Sequence, residues 1–256
     1  MSELLAIRTV GKSYWRGVRE VSVLIDASLE VDPGQVVAVI GSRGEGKTTL
    51  LKLGAGLDLA DRGEVWLGAR ELSSLSERAR RRLLGQEIRW LDRREPRVRV
   101  PIRDLVAAPM AMGRHRGLRE ARSLALSALD RLGIGAVAEQ RWDEISNWER
   151  VLVVLASGIV GSPELLVIDD LLDGLGASRT EEAGRTLRSL VEEMGFGVLM
   201  SVSDWDAALL ADRILNIEDG RLVLMSDQTS QGTSAKDAEV LPFERRRDGS
   251  RSMNAC

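Results

Sequence analysis

The sequence predicts an α/β domain: a mainly parallel sheet covered by helices on both sides, with a helical segment inserted into it. Three observations predict this. Residues 36–40 (Val-Val-Ala-Val-Ile) and 165–168 (Leu-Leu-Val-Ile) are continuous apolar runs bounded by turn residues, the pattern of strands buried on both faces. After residue 160, short strand patterns alternate with helical ones. Between the two apolar runs, residues 100–160 read as mainly helical.

The elements follow in order. Residues 4–10 and 21–31 are β-rich, and the second stretch ends at the turn Asp32-Pro33-Gly34. The strand at 36–40 runs into a glycine-rich loop and a helix over about 47–55. A short strand follows at 64–67, then a very basic helix over 76–84. Three helices are predicted at 101–112, 118–132 and 146–160. The buried strand at 165–168 leads to a helix over 179–194 and a strand at 197–202. A short helix at 204–211 and strands at 214–217 and 222–225 complete the domain, expected to span 1–225. From 226 to 256 the chain is polar and predicts a loosely ordered tail.

Composition narrows the function. The 256 residues suit one large domain or two small ones. With 44% hydrophobic and 29% charged residues, the chain falls in the soluble globular class. A net charge of −3 excludes a globally basic nucleic-acid binder, so no nucleic-acid partner is expected. The single cysteine, Cys256, forbids a disulfide or a multi-cysteine metal site within one chain. The single histidine, His115, excludes any mechanism that needs two. The longest apolar run, 151–160, is interrupted by Ser157 and Gly158 and is too short to span a membrane. An early acid and no long apolar stretch argue against a secretory signal. A cytoplasmic protein is expected, one that reaches a membrane only through a partner.

The sharpest local signal is Gly41-Ser42-Arg43-Gly44-Glu45-Gly46-Lys47-Thr48-Thr49, after a buried strand and before a helix. It matches the phosphate-binding P-loop. Glycines let backbone N–H groups turn inward around phosphate oxygens, and the helix N-terminus adds partial positive charge. Lys47 is placed to reach the β- and γ-phosphates, and the Thr48 hydroxyl to bind Mg²⁺. Arg43 and Glu45 are unusual fillers, tolerable where backbone does the cradling. The second expected part of such a site is an apolar strand ending in an acid. Leu165-Leu166-Val167-Ile168-Asp169-Asp170 supplies it, with Asp169 as the second magnesium group. A nucleotide with Mg²⁺ is therefore the expected ligand.

With these motifs in place, the chain resembles the ATP-binding subunits of ABC transporters, closest in flavour to the lipoprotein-release and macrolide-export class. The likeness covers about residues 4–225. It is carried by the P-loop, by residues 11–20 around Tyr14, by 53–58 (Leu-Gly-Ala-Gly-Leu-Asp) and by 62–72. Residues 161–169 and 211–222 carry it further. The resemblance implies ATP and Mg²⁺ as cofactors, a P-loop NTPase core of the RecA type, an N-terminal antiparallel β subdomain and an inserted helical subdomain at about 100–160. It implies partners too: an integral membrane permease and a second ATP-binding subunit, identical or not. It places the chain on the cytoplasmic face of the membrane. It also assigns adenine stacking to an aromatic before the P-loop. Tyr14, the only tyrosine, falls there, with Trp15 as a competitor.

Departures from the family pattern are systematic. Its signature Leu-Ser-Gly-Gly-Gln/Glu corresponds to Ile145-Ser146-Asn147-Trp148-Glu149, without either glycine. Trp148 puts a large ring where backbone should approach phosphate, while Ser146 and Glu149 keep a helix-capping box. The family's water-polarising Glu is Asp170, one methylene shorter. A base must lie within hydrogen-bond reach, so this shortening weakens it. The Asp of the following loop is Gly176, with Ser178 and Glu181 expected to start the next helix. The coupling Gln falls near Asp92 or Arg93, Gln86 being too early, and the switch His is Ser203. His115, between Arg114 and Arg116, is expected to be a solvated surface residue.

Ten arginines against three acids give residues 78–103 an excess of seven positive charges. This stretch reads as a docking surface for a permease or anionic lipid, or as solvated helix faces; Arg245-Arg246-Arg247 reads the same way. Three functions remain open. One is an ABC nucleotide-binding subunit that keeps ATP binding and hydrolyses poorly or not at all. Another is a working but atypical ATPase with Asp170 as base. The third is a nucleotide-responsive regulator or scaffold outside transport.

Overall fold

The computed structural model describes residues 3–112 and 117–227. His115, Arg114, Arg116 and the stretch 228–256, with Arg245–Arg247 and Cys256, lie outside the described residues.

Two sheets organise the described chain. The first is antiparallel, in the order β2-β1-β4-β5: β1 Leu5–Arg16, β2 Arg19–Val31, β4 Arg62–Leu67 and β5 Arg70–Glu71. Strands β1 and β2 form a long hairpin, which the sequence shows only as two shorter β-rich stretches. The second sheet has six strands in the order β10-β9-β3-β8-β7-β6. Its strands are β3 Val36–Ile40, β6 Ile88–Asp92, β7 Leu165–Asp169, β8 Gly197–Val202, β9 Arg213–Glu218 and β10 Arg221–Asp227. All neighbours in it are parallel except the closing β9–β10 hairpin. The predicted α/β class, the antiparallel N-terminal sheet and the helical insertion are all present.

Alternation explains why the central strands are apolar throughout. Val36 and Ala38 of β3, with Leu166 and Ile168 of β7, face one core. Val37 and Val39, with Leu165 and Val167, face the other. Successive side chains point to opposite faces, so a strand covered on both sides needs apolar residues at every position. One face is closed by helix α1 (Lys47–Gly54) and the antiparallel sheet. The other is closed by α6 (Ala177–Met194) and the inserted helices α3 (Ile102–Met112), α4 (Leu118–Arg131) and α5 (Asn147–Ile159). Helix α2 (Glu77–Gln86) starts at Ser76, whose hydroxyl accepts the Ala79 N–H. A short helix, α7 (Trp205–Ala208), follows β8. Among the described residues no helix is long and apolar enough to cross a membrane.

Two local readings change. Strand β6 is absent from the sequence prediction because Arg89 interrupts its apolar pattern. That arginine is only 4% exposed. Its guanidinium donates to the carbonyls of Leu84 and Val160, at the ends of α2 and α5, at 3.5 and 3.3 Å. The charge thus sits where two helix dipoles end, and burial pulls its pKa below the usual arginine value. Helix α6 starts at Ala177, with Gly176 as its cap and no side-chain capping bond. Ser178 is therefore inside the first turn rather than ahead of it. Gly176 holds φ 76° and ψ 154°, a turn that glycine adopts freely, and this conformation sets the helix start.

The helical layer is tied internally by Arg122 of α4, which grips Asp104 of α3 with two bonds of 2.6 and 3.0 Å. Arg122 holds the Asp104 carboxyl below the ordinary aspartate value, more than offsetting the upward push of burial. An acid with a depressed folded pKa stabilises the fold above its unfolded pKa and ceases to do so as pH falls through the folded one. Asp104→Asn is expected to lower the unfolding midpoint at neutral pH, and the gap to wild type should narrow as pH falls below the ordinary aspartate pKa of about 3.9 and through the depressed folded one. Urea denaturation of both proteins across that range measures it; a gap independent of pH contradicts the ion pair.

Candidate functional site

The site lies where strands β3, β7 and β8 all end. Ile40 closes β3, residues 41–46 form the loop, and Lys47 opens α1. Gly46 holds φ 110°, and a Cβ there would meet the Val23 carbonyl oxygen at 3.0 Å, so only glycine fits. Glu45 turns its carboxylate back on the loop, where it accepts the Ser42 N–H at 2.5 Å. It braces the loop from behind and is not among the residues that line the cavity.

That cavity measures about 560 Å³ and is lined by Ser42, Arg43, Gly44 and residues 46–49 of the P-loop. Tyr14, Arg16 and Val23 close one end, and Asp170, Asp173 and Ser203 the other. The Lys47 ammonium, in a side chain only 6% exposed, donates to the Gly41 carbonyl at 2.5 Å and contacts the Ser42 carbonyl and the Ser203 hydroxyl at 3.5 and 3.3 Å. None of these partners is an acid, so its charge is left for an anion. The Thr48 hydroxyl lies 3.0 Å from both oxygens of Asp169. A hydroxyl and a carboxylate at the phosphate end of the loop are hard oxygen donors of the kind Mg²⁺ prefers, so these two residues fit a magnesium ion. Burial pushes the Asp169 carboxyl above its usual value, and hydrogen bonds from Ser201 and Thr48 offset part of that.

Tyr14 reaches the cavity from β1. Its hydroxyl donates to Asp58 at 2.7 Å, and the Lys12 ammonium sits 5.3 Å from its ring centre. Lys12 in turn bridges Asp58 and Asp61 at 3.3 and 3.1 Å. Trp15, the competing aromatic, is 71% exposed and does not line the cavity. Asp173 lines the cavity, Lys12 and Asp58 hold Tyr14, and Ser201 lies buried behind the cavity; all four were missed from the sequence. Ser201 alone left a signal, as the one polar side chain in an otherwise apolar strand.

Residues 24–172 match the family described as ABC transporter. A lipoprotein-releasing system ATP-binding protein, LolD, of Pseudomonas fluorescens is 34% identical over 87% of this chain and 99% of its own length. The chain belongs to the ABC transporter family. Within it, the chain is a nucleotide-binding subunit. An aliphatic sulfonates import ATP-binding protein, SsuB, of Albidiferax ferrireducens is also 34% identical, over 95% of this chain and 82% of its own. Among solved structures, the ATP-binding cassette MJ0796, as a dimer in a post-hydrolysis state bound to ADP and Pi, superposes with a TM-score of 0.79. Its identity is 21%, and the match covers 88% of this chain and 98% of that one. This likeness concerns the fold.

The segments that the resemblance marks as departures lie among the described residues. At the signature, Ser146 and Glu149 form the expected capping box. The Glu149 carboxylate accepts the Ser146 N–H at 2.8 Å, and the Ser146 hydroxyl accepts the Glu149 N–H at 3.2 Å. The Trp148 ring is half-buried against the helical core, and the Arg179 guanidinium of α6 stacks 4.8 Å from its centre. The indole is thus held between α5 and α6. At the coupling position, Asp92 pairs in register with Asp169. Its carboxylate is occupied by Trp90 Nε1 at 2.9 Å and Arg94 Nε at 2.6 Å. Arg93 donates to the Asp173 carbonyl. Ser203 stands beside Lys47, and its N–H donates to Asp173 Oδ1 at 3.1 Å.

The basic stretch 78–103 is not one surface. Arg78, Arg81 and Arg82 are exposed on α2, Arg89 is buried, and Arg93 and Arg94 are engaged at the site's edge.

Burial, and then the bond to Asp58, raise the Tyr14 hydroxyl above the usual tyrosine pKa. Because Tyr14 is the only tyrosine, an ultraviolet difference titration reads this group alone. A midpoint above about 10 is expected, moving down in Asp58→Asn. A midpoint that Asp58→Asn leaves unchanged contradicts the tether.

Proposed function

We propose that this ABC subunit binds Mg-ATP in the P-loop cavity and turns it over slowly or not at all. In this reading the chain pairs with a second ATP-binding subunit and docks on the cytoplasmic face of a membrane permease. Residues 41–49 cradle the phosphates, Lys47 neutralises them, Tyr14 stacks on adenine, and Thr48 with Asp169 holds the magnesium. Bound Mg²⁺ supplies charge neutralisation of the phosphates. Residues 1–225 act as the ATP-binding unit. Relatives named for lipoprotein release and for sulfonate import match over similar lengths, so the transported substrate is left to the permease.

The observation that carries the binding half is Lys47: an ammonium facing a cavity with carbonyl and hydroxyl partners only. Poor turnover is supported at the other end. Asp170, in the family's water-polarising position, has its N–H and carboxylate tied to Ser201, both at 2.9 Å. A serine replaces the switch histidine, and the signature backbone carries the Trp148–Arg179 stack in place of two glycines. General acid–base groups contribute about 10²–10⁴ in rate each, though losses at one site do not multiply.

Lys47→Ala is expected to abolish Mg-ATP binding by the purified chain, measured by calorimetry; undiminished binding overturns the proposal. A second reading has one observation behind it: the Asp170 side chain still lines the cavity. If Asp170 is a working base, turnover with the permease present will fall on Asp170→Ala by about 10²-fold or more. We expect a low rate that this substitution leaves unchanged.

A further inference from the structure

Ser201 is 1% exposed, in a strand whose other residues are glycine and apolar side chains. A buried hydroxyl must find partners, and this one finds three. It accepts the Asp170 N–H at 2.9 Å. It lies 2.8 Å from Asp169 Oδ1 and 2.9 Å from Asp170 Oδ1. Strand pairing sets this geometry, because Asp169 of β7 stands directly opposite Ser201 of β8. Asp170 completes it by adopting φ 49°, a left-handed conformation that turns its carboxylate back toward β8.

A hydroxyl has one hydrogen to donate. Two carboxylates at nearly equal distance therefore compete for it. Thr48 also donates to Asp169, whereas among the described residues the Asp170 carboxylate takes its side-chain hydrogen bond from Ser201. Any cation held by Thr48 and Asp169 removes the reason for Ser201 to face Asp169.

We propose that Ser201 is a positioning residue that couples metal occupancy at Asp169 to the placement of Asp170. This rests on the magnesium role given above to Thr48 and Asp169. With Asp169 neutralised by a divalent cation, Ser201 commits its hydrogen to Asp170 and holds that carboxylate against β8. Without the cation its one hydrogen is divided between the two acids, so neither is fully held. Partners that orient metal-binding carboxylates in this way are worth about 10–100-fold in metal affinity.

The test titrates Mg²⁺ into the full chain mixed with a fluorescent ATP analogue, beginning in EDTA. Ser201→Ala should leave metal-free nucleotide affinity unchanged and raise the Mg²⁺ concentration at half-effect about tenfold. Ser201→Thr, which keeps the hydroxyl on a β-branched strand residue, should restore it. In an Asp170→Asn background the effect of Ser201→Ala should shrink, because the asparagine amide is uncharged and donates its own hydrogen. Equal weakening with and without Mg²⁺, no weakening, or strict additivity with Asp170→Asn each overturns the proposal. A wild-type chain that binds no nucleotide under either condition overturns the proposed function instead, so the two failures are distinguishable.

Discussion

Strands β3, β7 and β8 lie side by side and parallel, and both of their faces are buried under apolar layers. Polar side chains therefore have little place along these strands and gather where they end. All three chains leave the sheet on the same side, so their ends meet. This is why a loop after Ile40, Asp170 just past β7 and Ser203 just past β8 share one cavity. It is also why Thr48 reaches Asp169 across 121 residues of sequence. Shift the register of β7 against β8 by one residue and Ser201 no longer faces Asp169, since the side-chain period of a strand is two.

Three of the polar side chains that enter the interior meet specific partners, although Arg89 Nε itself has none. Arg89 caps the carbonyl ends of two helices, Lys47 faces carbonyls and a hydroxyl, and Ser201 spans two carboxylates. Each sits where an unpaired polar atom would be costly. Structural and functional uses are separated by the partners. Arg89 ends on carbonyls inside the fold, while the Lys47 charge is left open toward the cavity.

The departures from the ABC pattern have been absorbed without damage to the scaffold. The signature segment still starts α5 through the Ser146–Glu149 box. Gly176, where the family has an acid, starts α6 through its backbone alone. Trp148 is accommodated by packing and by stacking against Arg179. Helix starts and buried faces are satisfied locally, so the fold does not depend on the residue types at these positions.

Much of this was legible in one dimension. The strand-loop-helix context of residues 36–54, the alternation of elements after residue 160, the acid closing Leu165–Asp169 and the capping box at Ser146 all depend on neighbours in sequence. Local pattern therefore determined the fold class, the P-loop and the Thr48–Asp169 pair beside it, and the family likeness extended them to Tyr14 and Ser203. What only the tertiary structure decided depends on residues far apart along the chain. Strand β6 is held by β7 and by carbonyls that cover Arg89, none of which its own sequence reveals. The arginines of 78–103 divide into exposed, buried and engaged ones according to what packs over them. Tyr14 is tethered by Asp58, 44 residues away, and the hydroxyl of Ser201 is shared by two acids more than 30 residues before it. A hydrogen bond is set by distance and direction in space, and those are settled only when the strands have found their register.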